Sequence, residues 1–231
     1  MEPQLFDAHC HLDLMACPDT VADEATALGL GLFDCGVDPR DFAAAKTRAS
    51  HRPSIIAGVG LHPWWLADGR CGTAEINLLC EVAAQERFIG EIGLDYYWEQ
   101  TPPREFQQEV FRDQLALAQE LGLPVIVHDR DAHADCLAIV KEFPQVRGVF
   151  HCFSGSVEIA QELIKRGWYL GFDGPLTYKN AKKTVEVAKI VPLDRVLLET
   201  DSPYMAPVPV RGTRNDSRNV SHIAAKFAEI R

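Results

Sequence analysis

PREFQQEVFRDQLALAQELGLPVIVH, residues 103 to 128, reads as a helix followed at once by a strand. Phe106, Val110, Leu115, Leu117, Ala118 and Leu121 recur at helical spacing as one apolar stripe, which Gly122 and Pro124 close. Pro124-Val125-Ile126-Val127-His128 is then a short apolar, β-branched run of the kind that forms strands. Upstream, Phe88 to Leu94 is another such run. Strand, helix and strand in this order make a right-handed unit with two parallel strands.

Working outward, the same alternation spans the chain. Candidate strands are Leu5 to Leu12, Leu30 to Val37, Ser54 to Leu61, Phe88 to Leu94, Pro124 to His128, Gly148 to Phe153, Trp168 to Phe172 and Arg195 to Thr200. Between the last three, Val157 to Gly167 again carries a helical stripe of Ile159, Ala160, Leu163 and Ile164. Eight units predict an α/β protein of the (β/α)8 TIM barrel class rather than an open doubly wound sheet. No GxGxxG follows the first strand and no GxxxxGK[ST] occurs, so the nucleotide-binding open folds lose their usual mark. A single domain over residues 1 to 231 is expected, since no linker, repeat or low-complexity stretch divides the chain. The last segment, Ser221 to Arg231, has a helical pattern that stops without a glycine, as in a shortened final helix.

Hydrophobic residues make up 47% of the chain and charged residues 24%, which supports a sizeable core and excludes a disordered chain. The start, MEPQLFDAHCHLDL, lacks the basic and apolar regions of a signal peptide, and no run approaches ~18 apolar residues, so a cytoplasmic protein without membrane contact is expected. The cysteines (Cys10, Cys17, Cys35, Cys71, Cys80, Cys136 and Cys152) form no CxxC pair and read as reduced thiols, mostly in the core. A net charge of −10 argues against a general polyanion binder, because nonspecific nucleic-acid affinity comes from Lys and Arg. Carboxylates that ligate cations would offset part of that charge.

Polar residues concentrate where a parallel barrel places its active site, at the C-terminal ends of strands. In Asp7-Ala8-His9-Cys10-His11-Leu12, strand alternation sends Asp7, His9 and His11 to one face, so both imidazoles point into the barrel. An isolated HxH is more often a pair of core or surface histidines than a metal site. The other strand ends decide, because Glu91 sits in an apolar run where a lone carboxylate is costly, and His128, His151 and Asp201 occupy equivalent positions. Nitrogen and oxygen donors in this mix suit zinc, manganese or magnesium rather than a thiolate metal.

Together with Gly60-Leu61-His62-Pro63, Gly90-Glu91-Ile92-Gly93-Leu94-Asp95, the Pro124 to Arg130 stretch, His151-Cys152-Phe153-Ser154-Gly155 and Glu199-Thr200-Asp201-Ser202-Pro203-Tyr204, the first-strand motif resembles the TatD-related DNase family of the amidohydrolase superfamily. The resemblance runs from the first strand to about Val220. It implies two divalent ions (Mg2+, Mn2+ or Zn2+), with His9, His11 and Asp201 on one, His128 and His151 on the other, and Glu91 bridging both. It also places His62, Arg211 and Arg214 near the substrate. The implied activity is a metal-dependent hydrolase, a deoxyribonuclease of 3'-5' exonuclease type acting on single-stranded DNA or oligonucleotide ends, with Asp201 and Glu91 catalytic. No obligate protein partner is expected.

Asp201 is expected to take the water proton as well as ligate metal, and Glu199 to orient ligands. Tyr96, Tyr97, Trp98, Trp64, Trp65 and Tyr204 follow strand ends, where they could stack bases or pack loops. Two alternatives stay open: hydrolysis of a small ester, amide or lactone at the same metals, which the negative charge favours, and a metal-bound scaffold without catalysis. The segment Arg211-Gly212-Thr213-Arg214-Asn215-Asp216-Ser217 departs from the family's RG-x-RNEP, and Asp129 and Asp173 stand at altered positions. These changes add negative charge near the expected mouth and leave the metal ligands intact.

Overall fold

A computed structural model describes residues 4–37, 42–68 and 73–231, and Cys71 lies outside the described residues. A strand forms at each of the eight apolar runs: β1 Leu5–Cys10, β2 Leu30–Cys35, β3 Ile55–Gly58, β4 Ile89–Asp95, β5 Val125–Arg130, β6 Gly148–Phe150, β7 Tyr169–Phe172 and β8 Val196–Leu198. They alternate with α1 Pro18–Ala27, α2 Phe42–Ser50, α3 Thr73–Ala83, α4 Arg104–Leu121, α5 His133–Glu142, α6 Val157–Lys165, α7 Lys182–Ile190 and α8 Val220–Ile230. All paired neighbours are parallel, in two ladders of order β1-β2-β3 and β4-β5-β6-β7-β8. Among the described residues the ladders meet only through single bridges, Val59 with Ile89 and Cys10 with Ser202. The architecture is a (β/α)8 barrel whose hydrogen-bonded ring is interrupted at two seams.

Several strands stop short of their apolar runs, and the chemistry begins where they stop. β1 ends at Cys10, β6 at Phe150 and β8 at Leu198, so His11, His151 and Asp201 stand just beyond regular pairing. Backbone hydrogen bonds still hold them: His11 N–H to Ser202 O at 2.8 Å, His151 N–H to Val127 O at 3.1 Å and Asp201 N–H to His9 O at 3.0 Å. β5, by contrast, continues past His128 to Arg130.

Helix α4 forms as predicted and ends at Gly122, whose φ of 66° is the left-handed cap that glycine adopts without a Cβ penalty. Its buried face differs from the expected stripe. Gln107, Phe111 and Gln114 are buried with Val110, Leu115 and Ala118, while Phe106, Leu117 and Leu121 are only partly buried. The glutamines are inside because each carboxamide satisfies a strand-end peptide. Gln107 accepts from Asp95 N–H at 2.9 Å and donates to Asp95 O at 3.0 Å, and Gln114 does the same for Leu61 at 2.8 and 3.1 Å. Buried amides paired this way avoid the desolvation cost of orphan groups and tie the helix to the loops that carry the site.

Large apolar side chains fill the space between sheet and helices. Trp168 is 1% exposed and meets Phe150 edge-on at 5.2 Å, and Phe111, Phe172 and Ile92 are fully buried. Each such side chain contributes ~1.5–3 kcal/mol on burial. Of the described cysteines, Cys10, Cys35 and Cys136 are buried, Cys152 is intermediate, and Cys17 and Cys80 are exposed rather than in the core. Among the described residues no helix is long and apolar enough to cross a membrane.

Candidate metal centre

Four ring or carboxylate atoms meet at the barrel mouth from strands far apart in sequence. His9 and His11 Nε2 lie 3.1 Å apart. Glu91 Oε2 lies 3.4 and 3.3 Å from them, and Asp201 Oδ1 lies 3.5 and 3.4 Å. The other oxygen of Glu91 turns to the opposite wall, where Oε1 is 2.7 Å from His128 Nδ1 and 2.6 Å from His151 Nε2. All six predicted donors therefore converge, with the Glu91 carboxylate between two groups of imidazoles. Asp7, which shares the face of β1 with both histidines, does not join them. Its Oδ1 accepts from Thr200 N–H at 2.8 Å and its Oδ2 from the Thr200 hydroxyl at 2.6 Å, so it fastens the seam between β1 and β8.

The first group fits a divalent ion. Metal–nitrogen bonds of ~2.0–2.1 Å set tetrahedral ligand atoms about 3.3–3.4 Å apart. The two imidazole nitrogens lie 3.1 Å from each other and 3.3 to 3.5 Å from each of the two carboxylate oxygens, close to those edges and longer than most hydrogen bonds between such groups. Three combinations of residues bring donor atoms together for an ion: His9, His11 and Glu91; His9, His151 and Asp201; His62, Glu91 and His128.

Electrostatics show how strongly the cluster calls for positive charge. Burial opposes a charge on His11, but hydrogen bonds and Coulomb attraction from Asp201 and Glu91 outweigh it and raise the ring to about 10. His151 is likewise pushed up against the effect of burial, by Glu91 and Glu199. Burial would raise Glu91 and Asp201, yet the surrounding imidazoles hold both below the usual carboxylate range. Buried carboxylates in this number are tolerated only with cationic partners.

Residues behind the donors aim them. Cys35, at the end of β2, touches the outer nitrogen of both β1 histidines: its Sγ lies 3.2 Å from His9 Nδ1, and its carbonyl oxygen accepts from His11 Nδ1 at 2.8 Å. With Nδ1 protonated, each Nε2 lone pair points into the cluster. Asp95 Oδ2 sits 3.0 Å from His128 Nε2, and Asp95 Oδ1 accepts from Tyr97 N–H at 2.9 Å. Glu199 accepts from Cys152 N–H and lies 3.7 Å from His151 Nδ1, a backing role that its place before Asp201 had suggested. A Cβ on Gly171 would stand 2.4 Å from Glu199 Oε2, so that glycine makes room for the carboxylate. Cys35 and Asp95 carried no signal of such a role in the sequence.

His62 is buried beside the cluster, with Nε2 at 3.5 Å from Glu91 Oε1. Its Nδ1 accepts from Trp64 N–H at 3.0 Å, and burial keeps the ring below its ordinary value, so the neutral form carries its proton on Nε2. That tautomer presents a donor rather than a lone pair.

A cavity of about 920 Å³ opens over the donors. His11, His62, Glu91, His128, His151 and Asp201 form its floor, and Trp64, Trp65, Trp98, Tyr204, Met205 and Arg130 are among its walls. Trp64, Tyr97, Trp98 and Tyr204 are about half exposed, whereas Tyr96 turns its hydroxyl to Asp135 at 2.8 Å and Trp65 packs on the core. Arg211 stacks on Tyr178 at 4.0 Å and Arg214 donates to the Leu14 carbonyl, while Gly212 and Thr213 between them line the wall. The altered positions do not add free charge at the mouth. Asp129 pairs with His133 at 2.8 Å, Asp216 pairs with Arg218 at 2.8 Å, Ser217 is fully buried, and burial pushes the Asp173 carboxyl far up, toward its neutral form.

The family model described as TatD related DNase matches residues 6–231. The Bacillus subtilis (strain 168) "Uncharacterized metal-dependent hydrolase YabD" is 40% identical over 98% of this chain and 91% of its own. The Escherichia coli (strain K12) "Uncharacterized metal-dependent hydrolase YcfH" is 37% identical over 98% and 88%. Among solved structures, YJJV, a TatD homologue from Escherichia coli K12, superposes with a TM-score of 0.92 at 29% identity, over 100% of this chain and 92% of that one.

Proposed function

The chain belongs to the TatD-related DNase family and is a metal-dependent hydrolase of it, and from that footing we propose that the donors around Glu91 hold two divalent ions for cleavage of a phosphodiester at a DNA or oligonucleotide end. The observation that carries this reading is the two-sided carboxylate: Glu91 turns Oε2 to His9 and His11, and Oε1 to His128 and His151. His9, His11 and Asp201 would hold one ion, His128 and His151 the other, with Glu91 shared. Four imidazoles favour zinc or manganese over magnesium. When bound, such a pair neutralises charge on phosphoryl oxygens and makes water acidic near neutral pH.

The chain's own groups supply the rest. Asp201 lines the cavity with Oδ1 beside both β1 imidazoles, and it accepts the proton of the attacking water. His62 donates from Nε2 to a non-bridging phosphate oxygen. Trp64, Trp98 and Tyr204 give a terminal base an aromatic face to stack on. Arg211 and Arg214 flank the wall at Gly212 and Thr213, where a strand leaving the cavity would pass them.

Metal-reconstituted wild type and Asp201→Asn, each with a chelated control, are to be incubated with end-labelled single-stranded DNA and with a panel of small esters and amides. Wild type is expected to shorten DNA from one end, and the variant to lose turnover by ~10²–10⁴-fold. Near-normal activity in the variant removes the base assignment. A second reading, hydrolysis of a small ester, amide or lactone, draws on the charge of −10 and the aromatic cavity wall, and ester cleavage with intact DNA would put it first.

A further inference from the structure

We propose that Arg130 is the specificity residue of this cavity: its guanidinium, held against Tyr97 and Trp98, binds a second anionic group of the substrate, the one flanking the reacting bond. In a DNA strand that group is the neighbouring phosphate. The inference rests on the phosphodiester reading above.

Most other arginines contrast with this one either in their partners or in their place: Arg104 and Arg211 also stack on a ring, over Tyr96 and Tyr178, but neither lines the cavity. Arg48 pairs with Asp34 at 2.7 Å, Arg52 with Asp23 at 2.7 Å, Arg112 with Glu142 at 2.9 Å, and Arg218 with Glu24 at 2.9 Å. In a chain of net charge −10, carboxylates are plentiful. Arg130 nevertheless makes no ion pair or side-chain hydrogen bond with any described residue. Its contacts are ring faces: its Cζ lies 4.3 Å from the Tyr97 centroid and 5.7 Å from that of Trp98, and these two rings meet edge-on at 4.8 Å. Stacking orients a guanidinium without using its N–H groups, which stay free for a planar, two-pronged grip on phosphate or carboxylate.

Its place is equally telling. His128 and Arg130 are two apart on β5, so they share a face of the strand ~6.6 Å apart, and both line the cavity. Asp129 between them turns away to His133. Among the described residues lining the cavity, Arg130 is the one arginine, and lysine is absent. A cation one pleat repeat from the donors, in a wall otherwise largely aromatic and apolar with Asp95, Gln100 and Thr213 among its polar members, selects a substrate with charge beyond its reacting group.

The test compares wild type with Arg130→Gln and Arg130→Lys, after bound metal per chain and melting temperature are shown to match. The probes are a trinucleotide with ordinary linkages and one whose linkage next to the scissile position is a neutral methylphosphonate. In wild type the neutral linkage should raise KM about 10- to 100-fold. In Arg130→Gln the ordinary trinucleotide should already show that rise, with little further change on the neutral one, and Arg130→Lys should fall between. Equal sensitivity to the neutral linkage in wild type and Arg130→Gln overturns the proposal while leaving the phosphodiester reading intact. If wild type cleaves esters but no oligonucleotide, that reading fails instead. Arg130 is then judged by p-nitrophenyl hydrogen succinate against p-nitrophenyl butyrate: a preference for the anionic ester that Arg130→Gln abolishes supports it, and no preference overturns it.

Discussion

On the Oε2 side of Glu91, His9 and His11 stand off at 3.4 and 3.3 Å, with His9 fully buried. On the Oε1 side, His128 and His151 have closed to 2.7 and 2.6 Å, and the His128 side chain is 15% exposed to the cavity. The first side is braced from within by one residue, Cys35, on the strand adjacent to β1. The second is braced by two, Asp95 and Glu199, from different strand ends. A side already spaced for an ion has little to rearrange on binding one. A side contracted to hydrogen-bond length must part carboxylate from imidazole first, which weakens the net gain. On the proposed two-ion reading, the ion beside β1 would be the tighter one and the ion beside β5 the exchangeable one.

The harshest way to break that comparison is to remove the group both sides share. Glu91→Gln should empty both sides and lower turnover by roughly a thousandfold or more, since the ions stabilise the transition state by several kcal/mol. Elemental analysis showing one ion retained, with activity within tenfold, would mean the sides are independent. Next in size, His9→Ala should lose both ions under chelator titration, whereas His128→Ala should keep one. Equal loss from the two variants removes the proposed ranking.

Replacing Cys35 sharpens the first side alone. Cys35→Ala should weaken the tighter ion by ~10–100-fold, as loss of a partner behind a ligand does, and Cys35→Ser should recover part of it. Competition with a chromogenic chelator reads this directly, and unchanged affinity in Cys35→Ala would leave the thiol as packing. The smallest effect belongs to the outer edge of the second side. The hydrogen bond His133 donates to Asp129, and then the charge of that carboxylate, raises His133 above its ordinary value despite partial burial. A raised histidine adds stability that is complete below about pH 6.5 and lost as pH rises through its folded value. His133→Gln should therefore lower the melting temperature by about 1–2 °C at pH 6 and by less at pH 9. The reverse pH order would rule out the pair as its cause.

Much of this was legible along the chain. Apolar runs of strand length marked all eight strands, and the stripe ending at Gly122 marked α4, because both patterns are local. The six donors were legible because histidines and carboxylates repeated at five strand ends are costly to bury unless a shared cation binds them. Asp7 shares a face with His9 by alternation but is not among the donors, because Thr200, 193 positions away, claims its oxygens. The α4 stripe was misjudged at Gln107 and Gln114, whose burial depends on peptides of other elements.

The sequence by itself therefore determined the strand and helix order, the barrel class and the six candidate donors, since spacing and side-chain chemistry are written residue by residue. Tertiary structure decided which atoms face one another: the split of Glu91 between two groups, Cys35 behind both β1 rings, Asp95 behind His128, and Arg130 unpaired with any described carboxylate. Those relations join residues as far apart in the chain as His9 and Glu91. They exist only once the strands stand side by side with a particular stagger, and no local pattern encodes that stagger.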